Sequence, residues 1–164
     1  MTSNLQNYLI PDAISLGLSA ANAEEVICNL ADKLMDAGYV RGSFVEAALA
    51  RERSIPTGLP LNGKYNAAIP HTEIEHVIKP GIGMATLAEP VVFHNMVSPD
   101  ETVEVRLVFV LALDQPKSQI EMLQEIANVL QNPHLVTNLV NAQNLDHVYQ
   151  ALKNAGDNPD VGAR

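Results

Sequence analysis

Apolar residues first settle into a helical rhythm at Ala23, Val26, Ile27, Leu30, Ala31 and Leu34, a 3.6-residue period that predicts a helix with one buried face. Asn22 and Glu25 have capping-box spacing at its start, and Gly38 stands where such a helix stops. Ser43 and Glu46 repeat the box ahead of Val45, Ala48 and Leu49. This predicts a second, shorter helix that runs out near Ser54, because Pro56 discourages continuation, and it puts Arg51 in the last turn. Ser118 and Glu121 form a third box before Ile120, Leu123, Ile126, Ala127 and Leu130. Asn132 and Pro133 end that helix and open another through Leu135, Val136, Leu139 and Val140, and a last helix carries Leu145, Val148, Tyr149 and Leu152.

Between the helices the period changes to two. Val103, Val105, Leu107, Phe109, Leu111 and Leu113 alternate on one face, while Val108, Val110 and Ala112 make the other face apolar as well. A strand apolar on both faces is central and covered twice. Tyr65 to Ile69 and Gly81 to Leu87 are shorter strand candidates, and Pro90 to Phe93 is a weaker one close to a turn. The expected fold class is therefore α/β in the broad, α+β sense: a mixed sheet with helices on both faces.

Composition narrows the picture. At 164 residues and 47% hydrophobic content the chain is the size of one domain. No linker or fixed repeat divides it, so residues 1–155 read as that domain and 156–164 as a loose tail. The formal net charge of -9 argues against nucleic acid, which is held through many phosphate contacts. The single cysteine, Cys28, excludes an internal disulfide and a cysteine-based zinc site; it lies in the apolar series of a helix, where it packs. The apolar run Leu107 to Leu113 is far shorter than the roughly 20 residues a membrane span needs, and the opening Met-Thr-Ser-Asn-Leu-Gln is no signal peptide. A soluble, unprocessed, cytoplasmic protein is expected.

The sharpest chemical signal is Asn66-Ala67-Ala68-Ile69-Pro70-His71-Thr72, where small apolar residues end abruptly in Pro-His at the carboxyl end of a strand. Sites gather at such ends. Pro70 fixes its own φ and biases Ile69 toward extended geometry, so the His71 imidazole is presented from a stiff support, as suits a nucleophile. The plainer reading, a loop histidine whose ring satisfies a neighbour, stays open from residue type alone. His71 and His76 do not chelate as one element: they lie on opposite faces of a strand and roughly 140° apart on a helix. His-Thr-Glu-Ile-Glu-His fits neither H-E-x-x-H nor H-x-x-E-H, which leaves a zinc hydrolase a remote alternative and no metal expected.

Arg51, Glu52, Arg53 and Lys64 bring a local net of +2, three bases minus one acid, to the stretch before His71. A solvated helix end with cations set against the helix dipole accounts for Arg53 and Lys64. If the helix end faces His71, Arg51 can hold phosphoryl oxygens bidentately. Gly81-Ile-Gly83-Met84-Ala85-Thr86 lacks the third glycine of a dinucleotide fingerprint, and the chain has no phosphate-binding G-x-x-x-x-G-K-[ST], so no cofactor is implied. His94 and His134 read as structural or exposed, and His147 as filling on an amphipathic helix.

Taken together, Leu49-Ala50-Arg51-Glu52, Ile55-Pro56-Thr57-Gly58-Leu59 and Ala68-Ile69-Pro70-His71 resemble the IIA component of the phosphoenolpyruvate-dependent sugar phosphotransferase system, fructose and mannitol type. The order of elements is similar over nearly the whole chain. The likeness is strongest to the galactitol-specific members, which share the histidine five places on, here His76. The resemblance implies a phosphocarrier in which Nε2 of His71 takes a phosphoryl group from phospho-HPr and passes it to a cysteine of a IIB partner, serving a membrane IIC component indirectly. It sets Arg51 beside the histidine. Mannitol and fructose members carry a second histidine where this chain has Gln119, an uncharged donor. Gln119, His76 and Thr72 are thus the further candidates around the phosphoryl group, and Ile55, Leu59 and Ile74 are candidates for the docking patch. A regulatory phosphoprotein, like the nitrogen-related members, is the alternative role.

Overall fold

The computed structural model describes residues 5–157. A short helix α1 (Leu5–Tyr8) leads into β1 (Leu9–Leu18), followed by helices α2 (Ala23–Asp36) and α3 (Ser43–Ser54). Two short strands, β2 (Gly58–Leu59) and β3 (Asn66–Ala68), precede a 3-10 turn at Ile74–His76 and the long strands β4 (Gly81–His94) and β5 (Thr102–Ala112). Helices α4 (Pro116–Leu130), α5 (Pro133–Val140) and α6 (Leu145–Asp157) close the chain. The five strands lie in the order β1-β4-β5-β3-β2. β1 runs parallel to β4 and β3 parallel to β5, whereas β4 with β5 and β2 with β3 are antiparallel.

The sheet separates two cores, as the doubly apolar pattern of β5 requires. Val108, Val110 and Ala112 pack with Val26, Ile27, Leu30 and Leu34 of α2 and with Phe44 and Ala48 of α3. Leu107, Phe109 and Leu111 pack with Met122 and Ile126 of α4, Leu135 and Leu139 of α5, and Val148 and Leu152 of α6. Each of the buried Val, Leu, Ile, Phe and Met side chains contributes roughly 1.5–3 kcal/mol. Among the described residues no helix is long and apolar enough to cross a membrane. The tail expected at 156–164 falls largely outside the described residues, α6 being traced to Asp157.

Several local expectations need correction. The sequence pattern does not pick out β1, an edge strand containing Pro11, Asp12 and Gly17 with register shifts along its pairing to β4. Edge strands tolerate proline and glycine, and the irregular pairing erases the alternation. Of the three capping boxes, that at Asn22 exists: its Oδ1 accepts the Glu25 N–H at 2.9 Å. Gly38 also ends α2 as expected, with φ +87. At Ser43 the cap is Gly42, and the Ser43 hydroxyl meets Nδ1 of His76 at 2.8 Å instead. At Ser118 the helix has already begun, with Pro116 at its first turn behind Gln115.

The expected unbroken alternation of Val103 to Leu113 also fails. Val103 and Val105 belong to the core with α2 and α3, opposite to Leu107, Phe109, Leu111 and Leu113. The cause lies in β4, which includes Pro90 to Phe93 as one continuous strand. Thr86 pairs with Leu107 but Val91 with Val105, so residues 87–90 face Arg106 alone. Pro90 has no N–H for the ladder, and Arg106 Nε donates to the Leu87 carbonyl at 2.6 Å across the break.

The fold brings two chain segments together at one sheet end. Beyond β3 the pairing with β5 continues, Leu111 N–H donating to the Pro70 carbonyl at 3.0 Å with His71 opposite Leu111. The carboxyl end of α3 turns through Pro56 and Thr57 into β2, which lies beside β3. β2 is clamped on its other side as well, its Gly58 carbonyl accepting the Met96 N–H at 2.8 Å. A Cβ on Gly58 would stand 2.5 Å from the His94 carbonyl oxygen. Gly58→Ala is accordingly expected to destabilise the fold by about 1–3 kcal/mol, measured as a lower urea midpoint with an unchanged slope; an unaltered midpoint would show that this contact yields freely.

Candidate functional site

His71 stands half-buried at the carboxyl end of β3. Its Nδ1 lies 2.9 Å from the Ile69 carbonyl oxygen. A carbonyl only accepts, so the ring hydrogen sits on Nδ1 and Nε2 carries the lone pair. Burial pushes the His71 pKa below the ordinary histidine value; the Arg51 charge adds to this, while the bond to Ile69 and the Glu73 carboxylate oppose it. The ring is therefore neutral at neutral pH, with Nε2 ready to act as a base or nucleophile.

Arg51, in the last turn of α3, reaches this site. Its Nη1 meets Glu73 Oε1 at 3.4 Å. The other oxygen of Glu73 takes the hydroxyl hydrogen of Thr72, which is buried. That hydroxyl is the first cause holding the Glu73 carboxyl below its ordinary range, followed by its own backbone N–H, with the charges of Arg51 and His76 in support. The Nε–H of Arg51 is buried and has no hydrogen-bond partner among the described residues. A buried donor left so is costly, by roughly 1–3 kcal/mol, and an anionic oxygen is the natural acceptor for it.

Sequence reasoning missed a layer beneath the ring. Glu52, counted there only as a charge, accepts the Thr57 N–H at 2.8 Å on one oxygen and the Thr57 hydroxyl at 2.9 Å on the other. Thr57 Oγ1 in turn accepts the Ile69 N–H at 3.2 Å. Burial raises the pKa of Glu52, against the two Thr57 bonds and the charge of His94. Glu73 was missed as well, since a carboxylate next to Thr72 has no spacing signature. The signal for Glu52 and Thr57 was the Arg-Glu and Pro-Thr-Gly strings themselves, whose polar members sit where periodicity asks for none.

The remaining candidates divide. His76 lies in the 3-10 turn and is engaged by Ser43, while its carbonyl takes the Arg41 N–H at 2.8 Å. Gln119 is half-buried in the first part of α4, which follows β5 at the sheet end that holds His71. Arg53 pairs with Glu24 at 3.4 Å, and Lys64 lies 5.3 Å from the Tyr65 ring centroid. Of that basic stretch, only Arg51 pairs beside His71. Ile55 is 51% exposed at the end of α3. Leu59, by contrast, is partly buried against the core of α4 to α6, and Ile74 is half-buried.

Cys28 is half-buried, and burial raises its pKa, with Asp32 and Glu24 adding to the effect. His147 is exposed rather than filling: its Nδ1 accepts the Gln143 N–H at 3.2 Å ahead of α6. Exposed His94 meets the Pro99 carbonyl at 2.9 Å. Among the described residues no group of three or more His, Cys, Asp or Glu side chains could hold a metal ion.

A two-core mixed sheet thus presents a neutral histidine beside an arginine, and likeness to known proteins gives this arrangement its class. Residues 7–155 match the family model described as phosphoenolpyruvate-dependent sugar phosphotransferase system, EIIA 2, and the chain belongs to that family. Among the proteins it is similar to are IIA components of the galactitol and mannitol type. The galactitol-specific EIIA component of Escherichia coli K12 is 30% identical over 124 residues, 76% of this chain and 81% of that protein. The crystal structure of IIA mannitol from Escherichia coli superposes with a TM-score of 0.74 at 29% identity, covering 88% of this chain and 98% of that one. The Escherichia coli mannitol IIA in complex with phosphorylated enzyme IIB gives a TM-score of 0.73 at 28% identity, covering 88% and 96%.

The ring geometry has a direct spectroscopic consequence. Nitrogen-15 spectra should show the His71 hydrogen on Nδ1, with a titration midpoint below the free-histidine value of about 6.5. Because a lowered pKa leaves the ring neutral to lower pH, Nε2 should stay unprotonated to lower pH than in a free histidine. A midpoint above that value would overturn the assignment.

Proposed function

We propose that this chain accepts a phosphoryl group on Nε2 of His71 from the phosphohistidine of HPr and passes it to the cysteine of a IIB partner, in the cytoplasmic limb of galactitol or related polyol uptake. The observation that carries the reading is the Nδ1–H bond to the Ile69 carbonyl, which leaves the lone pair on Nε2. In the first step the phosphorus–nitrogen bond of the donor breaks as the bond to Nε2 forms; in the second, phosphorus moves from Nε2 to the partner's sulfur. The Nδ1 hydrogen stays in place throughout.

Such a transfer passes through a loose in-line transition state, so the protein's part is to position the reactants and stabilise charge. Arg51 supplies the charge, and its unpartnered Nε–H is a donor the phosphoryl oxygens can satisfy. Thr72 follows the ring directly in the chain, and Gln119 lies near the start of α4, the helix that follows the carboxyl end of β5; these are the further polar groups we assign to the phosphoryl oxygens. Exposed Ile55, beside the Arg51 turn, suits the apolar centre of a small, transient docking patch. The relative that suggests galactitol is the galactitol-specific EIIA component, and the neighbour that suggests a IIB partner is the mannitol IIA seen with phosphorylated IIB.

Incubation with phosphoenolpyruvate, enzyme I and HPr should add one acid-labile phosphoryl group, detected by intact mass and absent from a folded His71→Ala variant. No mass gain in the native protein would sink the reading. Phosphorylation of His71 without onward transfer to any IIB cysteine would favour the regulatory role. For Arg51→Ala, we expect transfer slowed by roughly 10²-fold with the thermal midpoint little changed, and Arg51→Lys should recover only part of the rate because it loses the planar fork. An unaltered rate in Arg51→Ala would remove that side chain from the site.

A further inference from the structure

Glu52 and Thr57 do not touch the His71 ring through any hydrogen bond of their own, yet a series of hydrogen bonds, carried on through the backbone of Ile69, links them to it. The Glu52 carboxylate can only accept, and it takes both donors of Thr57, the N–H at 2.8 Å and the hydroxyl at 2.9 Å. With its single hydrogen committed to Glu52, the Thr57 hydroxyl faces Ile69 as an acceptor and takes the Ile69 N–H at 3.2 Å. The Ile69 carbonyl then takes the Nδ1–H of His71 at 2.9 Å.

Thr57 is 1% exposed and Ile69 7% exposed, so water does not replace these bonds freely. From the other side, β5 fixes the next carbonyl, that of Pro70, through the Leu111 N–H at 3.0 Å. The three residues 69–71 are thus held between Thr57 and β5. Gly58 lets this arrangement close, because any larger residue there would drive β2 off the His94 carbonyl.

We infer that Glu52 and Thr57 are positioning residues that set the tautomer of His71: the carboxylate turns the threonine hydroxyl, the hydroxyl pins Ile69, and the Ile69 carbonyl keeps the ring hydrogen on Nδ1. The logic is that of a carboxylate orienting a histidine through its far nitrogen, here relayed through a hydroxyl and a stretch of backbone. The inference rests on the reading of His71 as the phosphoryl acceptor for its use, and on geometry alone for the tautomer. It assigns a task to two residues of the Arg-Glu and Pro-Thr-Gly strings that the phosphoryl chemistry itself leaves without one.

The polarity of the series makes it testable with near-isosteric changes. Thr57→Val deletes the hydroxyl, leaving the Ile69 N–H without an acceptor and Glu52 with one bond in place of two. Glu52→Gln sets an amide N–H₂ against one of the two Thr57 donors, so that the hydroxyl must turn. Thr57→Ser keeps the hydroxyl and the direction of every bond.

In nitrogen-15 spectra of the full chain, Thr57→Val and Glu52→Gln should each convert His71 from the single Nδ1–H form to a mixture of both tautomers, and Thr57→Ser should retain the wild-type pattern. Phosphorylation by phospho-HPr should slow by roughly 10- to 100-fold in the first two variants and be restored in Thr57→Ser. A merely structural role would lower the melting temperature without redistributing the ring hydrogen.

Folded Glu52→Gln protein that keeps the pure Nδ1–H form and the wild-type transfer rate overturns the inference, even if Thr57→Val fails to fold. The two readings also fail separately. If the wild-type chain is never phosphorylated but the tautomer still shifts in the variants, the phosphocarrier reading falls and the positioning network stands.

Discussion

The site depends on the pairing of two parallel strands of unequal length. β3 is three residues long and could not hold a side chain firmly by itself. It is stiff because it lies beside β5, whose residues are buried on both faces, and because the pairing runs on past β3 to the Pro70 carbonyl. Whatever fixes β5 therefore helps fix His71: the apolar contacts of five helices, α2 to α6, reach one imidazole through the backbone pairing that ends at the Pro70 carbonyl. Pro70 adds a restrained φ at the point where the ladder would otherwise fray.

Electrostatics work on a smaller scale than the net charge suggests. A chain with nine more acidic than basic residues, nineteen against ten, has no general attraction for phosphate. What it has is one guanidinium delivered by a helix end to a half-buried histidine, with Arg53 and Lys64 turned to other partners. Burial and that guanidinium both lower the basicity of the ring, which favours its neutral form. The same surface that repels extended polyanions is compatible with one compact phosphoryl group on a IIA component.

The helices and their buried stripes were legible in the sequence because 3.6-residue periodicity survives tertiary context over α2, α4 and α5. The doubly apolar centre of the sheet was legible for the same reason. β1 was not, since Pro11, Asp12 and Gly17 are permitted on an edge strand whose neighbour covers one side only. Nor was the phase change near Arg106, which depends on residues 87–90 of a different strand. At the site, His71 and Arg51 stood out through the Pro-His and Arg-Glu strings, whereas Glu52, Thr57 and Glu73 did not. Their parts rest on contacts spanning from one to twelve residues, and short polar strings do not specify which partner each atom will meet.

The contact between Arg51 and Glu73 bears on how fast such a carrier can turn over. Glu73 is 53% exposed and its distance to the guanidinium is 3.4 Å, so the pair is loose and readily screened by salt. On the proposed reading, an anion that reaches Arg51 competes with a carboxylate already in place, and rotation of the Glu73 side chain is enough to admit it. On the proposed phosphocarrier reading, loading and unloading the site then calls for no rearrangement of the strand pairing that holds His71, so turnover carries no backbone step of its own.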